Sequence, residues 1–172
     1  QVGIANTTIT PQCPIWMTGF AARTAPADGV YADIEASAVV FESDGKRAAI
    51  IALDLVGIDE YLLDAFRDAA AGLGIPADCT LVNCSHTHCA PACRVVRGSN
   101  RHFDEGWLSD LKDKVASLLR EALDDLQPSE LDYMVASCTL GINRRRVGEH
   151  GSAGGMLPDP QKPIDLDVPV LR

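Results

Sequence analysis

The 172-residue sequence lacks an apolar run that could cross a membrane. A membrane-spanning helix needs about 20 apolar residues, and the longest candidate here, AAIIALDLVGI at 48–58, is interrupted by Asp54. The chain also begins at Gln1 without the basic-then-apolar pattern of a signal peptide, so we expect that a leader was removed or that the chain was trimmed. The sequence predicts a soluble protein and leaves its compartment open.

A surplus of basic residues is missing as well. The chain carries 15 lysines and arginines against 24 aspartates and glutamates, which gives a net charge of -9 and a pI near 4.7. No segment combines a basic stripe with interleaved aromatic residues. Proteins that bind nucleic acid use such positive surfaces to contact phosphates. The composition therefore argues against nucleic acid as a partner.

Cysteine is too sparse for a disulfide scaffold, because six cysteines are few for a chain of this length. The apolar content already suffices for a core, so disulfides are not needed to stabilise the fold. Cys89 and Cys93 approach metal-ligand spacing, but no second pair follows in zinc-finger register. We expect structural or incidental roles for the cysteines. The alternative is a metal or redox site built on Cys79, Cys84, Cys89 and Cys93.

The first half of the sequence predicts a hairpin followed by a βαβ unit. Two β-rich runs flank Asp44-Gly45, a dipeptide that favours a tight turn. The second run, at 47–55, is continuously apolar, which predicts burial on both faces. A helix capped by Asp59 comes next, and CTLVNCSH at 79–86 indicates another buried strand. Strand, helix and strand in succession predict a right-handed crossover between two parallel strands.

The rest of the chain predicts strands at 2–10, 131–142 and 168–172, a long helix at 104–126, and a glycine- and proline-rich loop at 147–167. The fold class is therefore α/β, a mixed sheet with a βαβ unit flanked by helices. Because the chain stops on a strand-like run, we expect the amino-terminal portion of a larger fold. Residues 1–172 would then be a single domain or a fragment.

Chemistry-bearing residues follow the two parallel strands. Asp54 and His86 each stand where one strand ends, and ligands bind at the carboxyl ends of such strands. If the strand stays extended, His86 and His88 point to the same side, within reach of one metal ion or one substrate. Asp54 receives no catalytic role and could simply cap the next helix. Arg144 opens the long loop, where its planar fork could hold an anionic or carbonyl oxygen.

Other charged side chains receive no role. His102 and His150 lie in polar segments, and Arg145 and Arg146 are typical of a solvated charge run.

A set of motifs in this order carries a family resemblance: NTTITP, MTGFAAR, ALDLVGI, SHTHCAP, GINRRR and GGMLPDPQKPIDLDVPVLR. Together they resemble the amino-terminal part of the neutral/alkaline non-lysosomal ceramidase family, including its shorter bacterial relatives of unassigned substrate. The resemblance implies a zinc-dependent amidohydrolase that cleaves the amide of an N-acyl sphingosine-like lipid. It also favours a secreted or periplasmic location.

The same resemblance implies site roles. His86 matches the first zinc ligand, His88 a histidine of the catalytic site, and Arg144 a substrate-side arginine. The family completes its zinc site with a histidine, a glutamate and a tyrosine that lie downstream of the matched region. We therefore expect this chain to be inactive when isolated and to need the remaining carboxy-terminal part of the enzyme, or a second chain, as partner.

One departure from the family pattern affects the substrate groove. CAPAC at 89–93 stands where the family more often has small and glycine-rich residues. The substrate therefore stays open among N-acyl lipids and other amides. A non-catalytic binding module with the same fold is a second alternative, beside the cysteine-based metal or redox protein.

Overall fold

The computed structural model describes residues 1–20, 22–93, 103–148, 151 and 155–172. His102 and His150 lie outside these residues. The chain divides into two compact units, Gln1–Ser129 and Glu130–Arg172. That residues 1–172 form a single domain or a fragment of a larger one stays a prediction.

The first unit contains a mixed four-stranded sheet. Its strands lie in the order β1-β2-β3-β4, in which β1, β2 and β3 are antiparallel neighbours and β4 is parallel to β3. The strand bounds are Val2–Thr8 for β1, Glu35–Ser43 for β2, Lys46–Leu53 for β3 and Thr80–Cys84 for β4. The predicted α/β class, with a βαβ unit in a mixed sheet, is confirmed.

The predicted hairpin turn is confirmed at Asp44-Gly45. Both residues have positive φ, 51° and 71° respectively, which is the backbone that a two-residue hairpin turn requires. Ser43 pairs with Lys46 directly across it. The turn therefore fixes the register of β2 against β3.

Two helices follow sequence signals closely. Helix α1, Glu60–Gly72, begins where the Asp59 side chain accepts a hydrogen bond from the backbone N–H of Leu62. Helix α2, Glu105–Asp124, begins in the same way, with the Asp104 carboxylate accepting from the N–H of Trp107. These acidic caps satisfy N–H groups that a helix leaves without partners at its start. Among the described residues, neither helix is long and apolar enough to cross a membrane.

Both helices pack on one face of the sheet, with α2 across β1 and β2 and α1 against α2 and β4. Small residues on this face allow close approach. Gly3 is the tightest point, because a Cβ there would overlap the backbone of Ala122 in α2. The shared core consists of the fully buried side chains of sheet and helices: Ala36, Ala38, Val40, Ala49, Ile51, Leu53, Leu62, Phe66, Ala70, Leu111, Val115, Leu118, Leu119 and Ala122.

The prediction that β3 is buried on both faces is wrong for the described part of the chain. Strand pairing aligns Ile4, Val39, Ile50 and Leu81 in one row across the other face of the sheet. The side chains of Ile4 and Leu81 are 60% and 59% exposed there. The apolar run of β3 therefore reflects one helix-covered face and one exposed apolar row.

The second unit is a two-stranded antiparallel sheet. Its strands are β5, Tyr133–Ser137, and β6, Asp167–Leu171, paired from Tyr133↔Leu171 to Ser137↔Asp167. Both lie where strands were predicted. The described residues between them form irregular segments.

Candidate functional site

The ends of β3 and β4 lie side by side, as the parallel pairing requires. Leu53 and Cys84 are paired at the last position of the two strands. Beyond them the backbone of the β4 side continues to bond to the β3 side, through Ser85 N–H to the carbonyl of Leu53 at 3.0 Å and His86 N–H to the carbonyl of Leu55 at 3.0 Å. The sequence prediction that residues after the two strands share one edge is borne out by this geometry.

His86 has an unusual backbone and a fixed imidazole. Its φ is +61°, in the left-handed region that non-glycine residues rarely adopt. Its Nδ1 lies 2.6 Å from the backbone carbonyl oxygen of Val56. Because a carbonyl oxygen can only accept, Nδ1 carries the proton and donates it. The lone pair of Nε2 is then available to bind a metal ion or accept a proton.

His88 lies beside His86, although not for the predicted reason. The prediction assumed an extended strand, but β4 ends at Cys84 and the backbone turns at His86. The two imidazole rings nevertheless approach to 5.2 Å between centroids, with an interplanar angle of 69°. The histidine pair therefore comes together through a turn rather than through strand alternation.

A short segment of the chain lies against His88 and the residues that follow it. This overlying segment, residues 16–20 and 22–23, runs beside the residues that follow His88. Thr18 N–H donates to the carbonyl of Ala90 at 3.1 Å, and Ala92 N–H donates to the carbonyl of Trp16 at 2.9 Å. The overlying segment therefore belongs to the site.

Within the overlying segment, Gly19 lies directly against the His88 side chain. Its φ is +106°, and a Cβ at this position would overlap the ring of His88. Glycine is therefore required here both for the backbone conformation and for space.

Two further side chains of the overlying segment contact His88. The Phe20 ring meets the His88 imidazole edge to face at 4.9 Å between centroids. Arg23 donates from Nη2 to the backbone carbonyl of His88 at 2.7 Å, and its guanidinium lies 5.1 Å from the centroid of Phe20. The MTGFAAR motif carried these residues, but its lack of a regular period gave no indication of where they would lie.

The Asp54 side chain binds a backbone N–H group at the same edge. Its carboxylate accepts from the N–H of Glu35 at 3.2 Å. The suggestion that Asp54 caps helix α1 is wrong, because Asp59 fills that position.

The cysteines nearby are free thiols in different environments. Cys89 is exposed, whereas Cys93 is buried and its Sγ donates to the carbonyl of Gly57 at 3.0 Å. Burial raises the pKa of the Cys84 thiol, and a hydrogen bond from the backbone of Ile58 offsets part of that shift. A raised pKa keeps the Cys84 thiol protonated, which lowers its reactivity as a nucleophile.

The metal-binding capacity of the described residues is limited. They contain no group of three or more histidine, cysteine, aspartate or glutamate side chains close enough to hold one ion. Zinc takes three or four ligands from protein. The fixed tautomer of His86 suits one such ligand, and the described part of the chain does not complete the set.

Arg144 lies in the second unit, in the loop after β5, and is exposed. Asn143 shapes the backbone around it, because its Oδ1 accepts from the N–H of Arg145 at 2.9 Å. The same residue donates from Nδ2 to the carbonyl of Pro163 at 3.0 Å. These bonds connect the start of the loop with its proline-rich part, and the predicted role of Arg144 stays a prediction.

Comparisons with known proteins relate this arrangement to solved structures only. No family model matches the sequence, and no curated protein matches it significantly. The fold is similar to that of neutral ceramidase from Pseudomonas aeruginosa, with a TM-score of 0.70 and 20% identity, over 84% of this chain and 24% of that one.

A ceramidase described as complexed with C2 matches with a TM-score of 0.75 and 20% identity, over 99% of this chain and 28% of that one. The chain thus spans about a quarter of the length of either structure. The resemblance that the motifs carry is confirmed at the level of the fold: this chain has the fold of part of a neutral ceramidase.

Proposed function

We propose that this chain forms part of the active site of a zinc-dependent hydrolase that cleaves linear amides, with N-acyl sphingosine-like lipids as the first substrate class to test. The observation that carries the proposal is the histidine pair at the carboxyl edge of β3 and β4. His86 donates from Nδ1 to Val56 and keeps Nε2 free, and the His88 ring lies 5.2 Å away. The ceramidase-like fold supports the choice of reaction.

In this proposal His86 is a zinc ligand. A backbone carbonyl that fixes the tautomer of a histidine is the usual outer-shell arrangement of metal-bound imidazoles. When bound, zinc would supply a water of lowered pKa, near ~7, and polarise the scissile carbonyl. The further ligands would come from outside the described residues, most simply from the remaining carboxy-terminal part of a longer ceramidase-like protein.

His88 and Arg144 act on the substrate in this proposal. The His88 imidazole is close enough to His86 to reach the same reacting carbonyl, where it would donate a hydrogen bond to the oxygen that becomes negative. The Arg144 guanidinium would hold a substrate oxygen with its planar fork of donors.

The test is metal content and amide hydrolysis in the full-length protein. We expect about one zinc ion per chain and hydrolysis of a short-chain N-acyl sphingosine. His86→Ala should remove both. Cys89→Ser is the matched control, because Cys89 is exposed and close in sequence but has no role in this site.

The same pair of variants separates the rival hypotheses. A cysteine-based metal site predicts loss of metal from Cys89→Ser and none from His86→Ala. A non-catalytic binding module predicts intact folding without zinc or turnover in the full-length protein. Zinc binding and turnover by the isolated 172-residue chain would contradict the idea that another part of the enzyme is needed.

A further inference from the structure

We propose that Arg23 is a positioning residue for His88, acting from the overlying segment through the Phe20 ring and the His88 backbone. This inference rests on the proposed function, because His88 matters for catalysis only if the histidine pair is an active site. The geometric part of it can be tested without any activity. None of the sequence motifs or fold comparisons assigns a role to Arg23.

The first observation is that one guanidinium holds two parts of the same structure. Arg23 Nη2 donates to the backbone carbonyl of His88 at 2.7 Å, a charge-assisted bond that is short and directional. The same group lies 5.1 Å from the centroid of Phe20, within the range of a cation–π contact. Arg23 therefore fixes the Phe20 ring relative to the His88 backbone.

The second observation is that Phe20 in turn limits the His88 side chain. The rings meet edge to face at 4.9 Å, which is a favourable arrangement for aromatic pairs. Gly19 lies against the same imidazole, leaving no room for even one methyl group. The His88 ring is thus bounded by Gly19 and Phe20, with the His86 ring 5.2 Å away.

The third observation is that the Arg23 guanidinium is poorly satisfied in its other hydrogen bonds. Its Nε is buried and has no hydrogen-bond partner among the described residues. Its Nη1 donates a weak hydrogen bond to the sulfur of Met17 at 3.7 Å. A buried donor without a partner is unfavourable for folding. If Arg23 served stability alone, an apolar side chain of similar length would avoid this cost. An arginine at this position is better explained by the contacts of its guanidinium with the His88 carbonyl and the Phe20 ring.

The experiment compares Arg23→Met with Arg67→Met in the full-length protein, with histidine and phenylalanine isotopically labelled for NMR. Arg67 is a matched control because it also donates to a backbone carbonyl of the β4 region, that of Thr80 at 3.5 Å, at the opposite end of the strand. We expect Arg23→Met to lose the nuclear Overhauser effect between Phe20 and His88 ring protons. Arg67→Met should keep it.

Two more readouts separate positioning from folding. Arg23→Met should keep its zinc content and its KM while kcat falls, because the metal ligand and the binding surface are unchanged. Arg23→Lys should recover only part of kcat, since it restores the charge without the planar fork. If Arg23→Met does not fold, Arg23→Lys provides the second test, because it keeps the charge without the planar fork and should weaken the same Overhauser effect.

Persistence of the Phe20–His88 contact in Arg23→Met would overturn the proposal, as would equal loss of the contact in Arg67→Met. Full recovery of kcat by Arg23→Lys would also contradict the role of the fork. Absence of amide hydrolysis by the wild-type full-length protein would refute the proposed function instead. In that case the Overhauser comparison would still decide whether Arg23 positions the His88 ring.

Discussion

Substituting His86 by asparagine, glycine and alanine separates three properties of this residue: its strained backbone, its hydrogen bond to Val56 and its free Nε2. The left-handed φ of +61° costs a non-glycine residue roughly 1–2 kcal/mol. The bond from Nδ1 to the carbonyl of Val56 contributes about 1 kcal/mol if it is typical of protein hydrogen bonds. The three substitutions change these two contributions in different combinations.

Alanine keeps the strain and loses the bond, so His86→Ala should destabilise the fold by about 1 kcal/mol. Glycine loses the bond but releases the strain, so the two effects should cancel to within roughly 1 kcal/mol. Asparagine can donate from Nδ2 to the same carbonyl and tolerates left-handed backbone well. His86→Asn should therefore be at least as stable as the wild type, although it lacks the imidazole lone pair.

The assay is urea unfolding with a chelator present, because a bound metal ion would add its own stabilisation to the folded state. With a slope of about 2 kcal/mol/M, a change of 1 kcal/mol moves the midpoint by roughly 0.5 M. The expected order of midpoints is asparagine, then wild type and glycine together, then alanine. An asparagine variant less stable than the alanine variant would refute the assignment of the Nδ1 proton and the strain argument together.

Other predictions follow from packing and thiol chemistry. Gly3→Ala should destabilise the first unit by about 1–3 kcal/mol, since its methyl group would overlap the α2 backbone, whereas Gly29→Ala, with open space around it, should be nearly neutral in the same unfolding assay. Iodoacetamide mapping should alkylate exposed Cys89 rapidly and buried Cys93 slowly, and an equal rate for both would contradict the burial. Because the pKa of the Cys84 thiol is raised in the folded chain, the unfolded chain releases this proton first as pH rises. Stability should therefore fall as the pH rises above the ordinary thiol pKa. In Cys84→Ala the urea midpoint of unfolding should decrease less at alkaline pH than in the wild type.

The elements that the sequence predicted are those with local physical signals. Asp44-Gly45 predicted its hairpin because few other dipeptides adopt two successive positive φ angles. Asp59 predicted the start of α1 because its carboxylate can bond to the N–H of Leu62 within the same turn. These interactions span a few residues, so they are visible in the sequence without knowledge of the rest of the fold.

The parts that the sequence did not predict depend on distant contacts. The exposed row on the sheet includes Ile50 and Leu81. In the described part of the chain the helices cover one face of the sheet alone, and the apolar sequence of a strand does not reveal how many of its faces are covered. The overlying segment reaches His88 through Arg23, a contact across 65 positions of sequence. The MTGFAAR and SHTHCAP motifs contributed to the family resemblance, and neither of them indicated this contact.

The turn at His86 links the conformation of this residue to its proposed function. The turn places the rings of His86 and His88 5.2 Å apart between centroids, at an angle of 69°. Asparagine would adopt the left-handed backbone with less strain and could keep the bond to Val56. What histidine adds at this position is the lone pair of Nε2, directed away from the bonded Nδ1. A strained residue whose structural contacts could be made at lower cost is typical of a functional site, and this contrast supports the proposal that His86 acts in the site independently of the likeness to ceramidases.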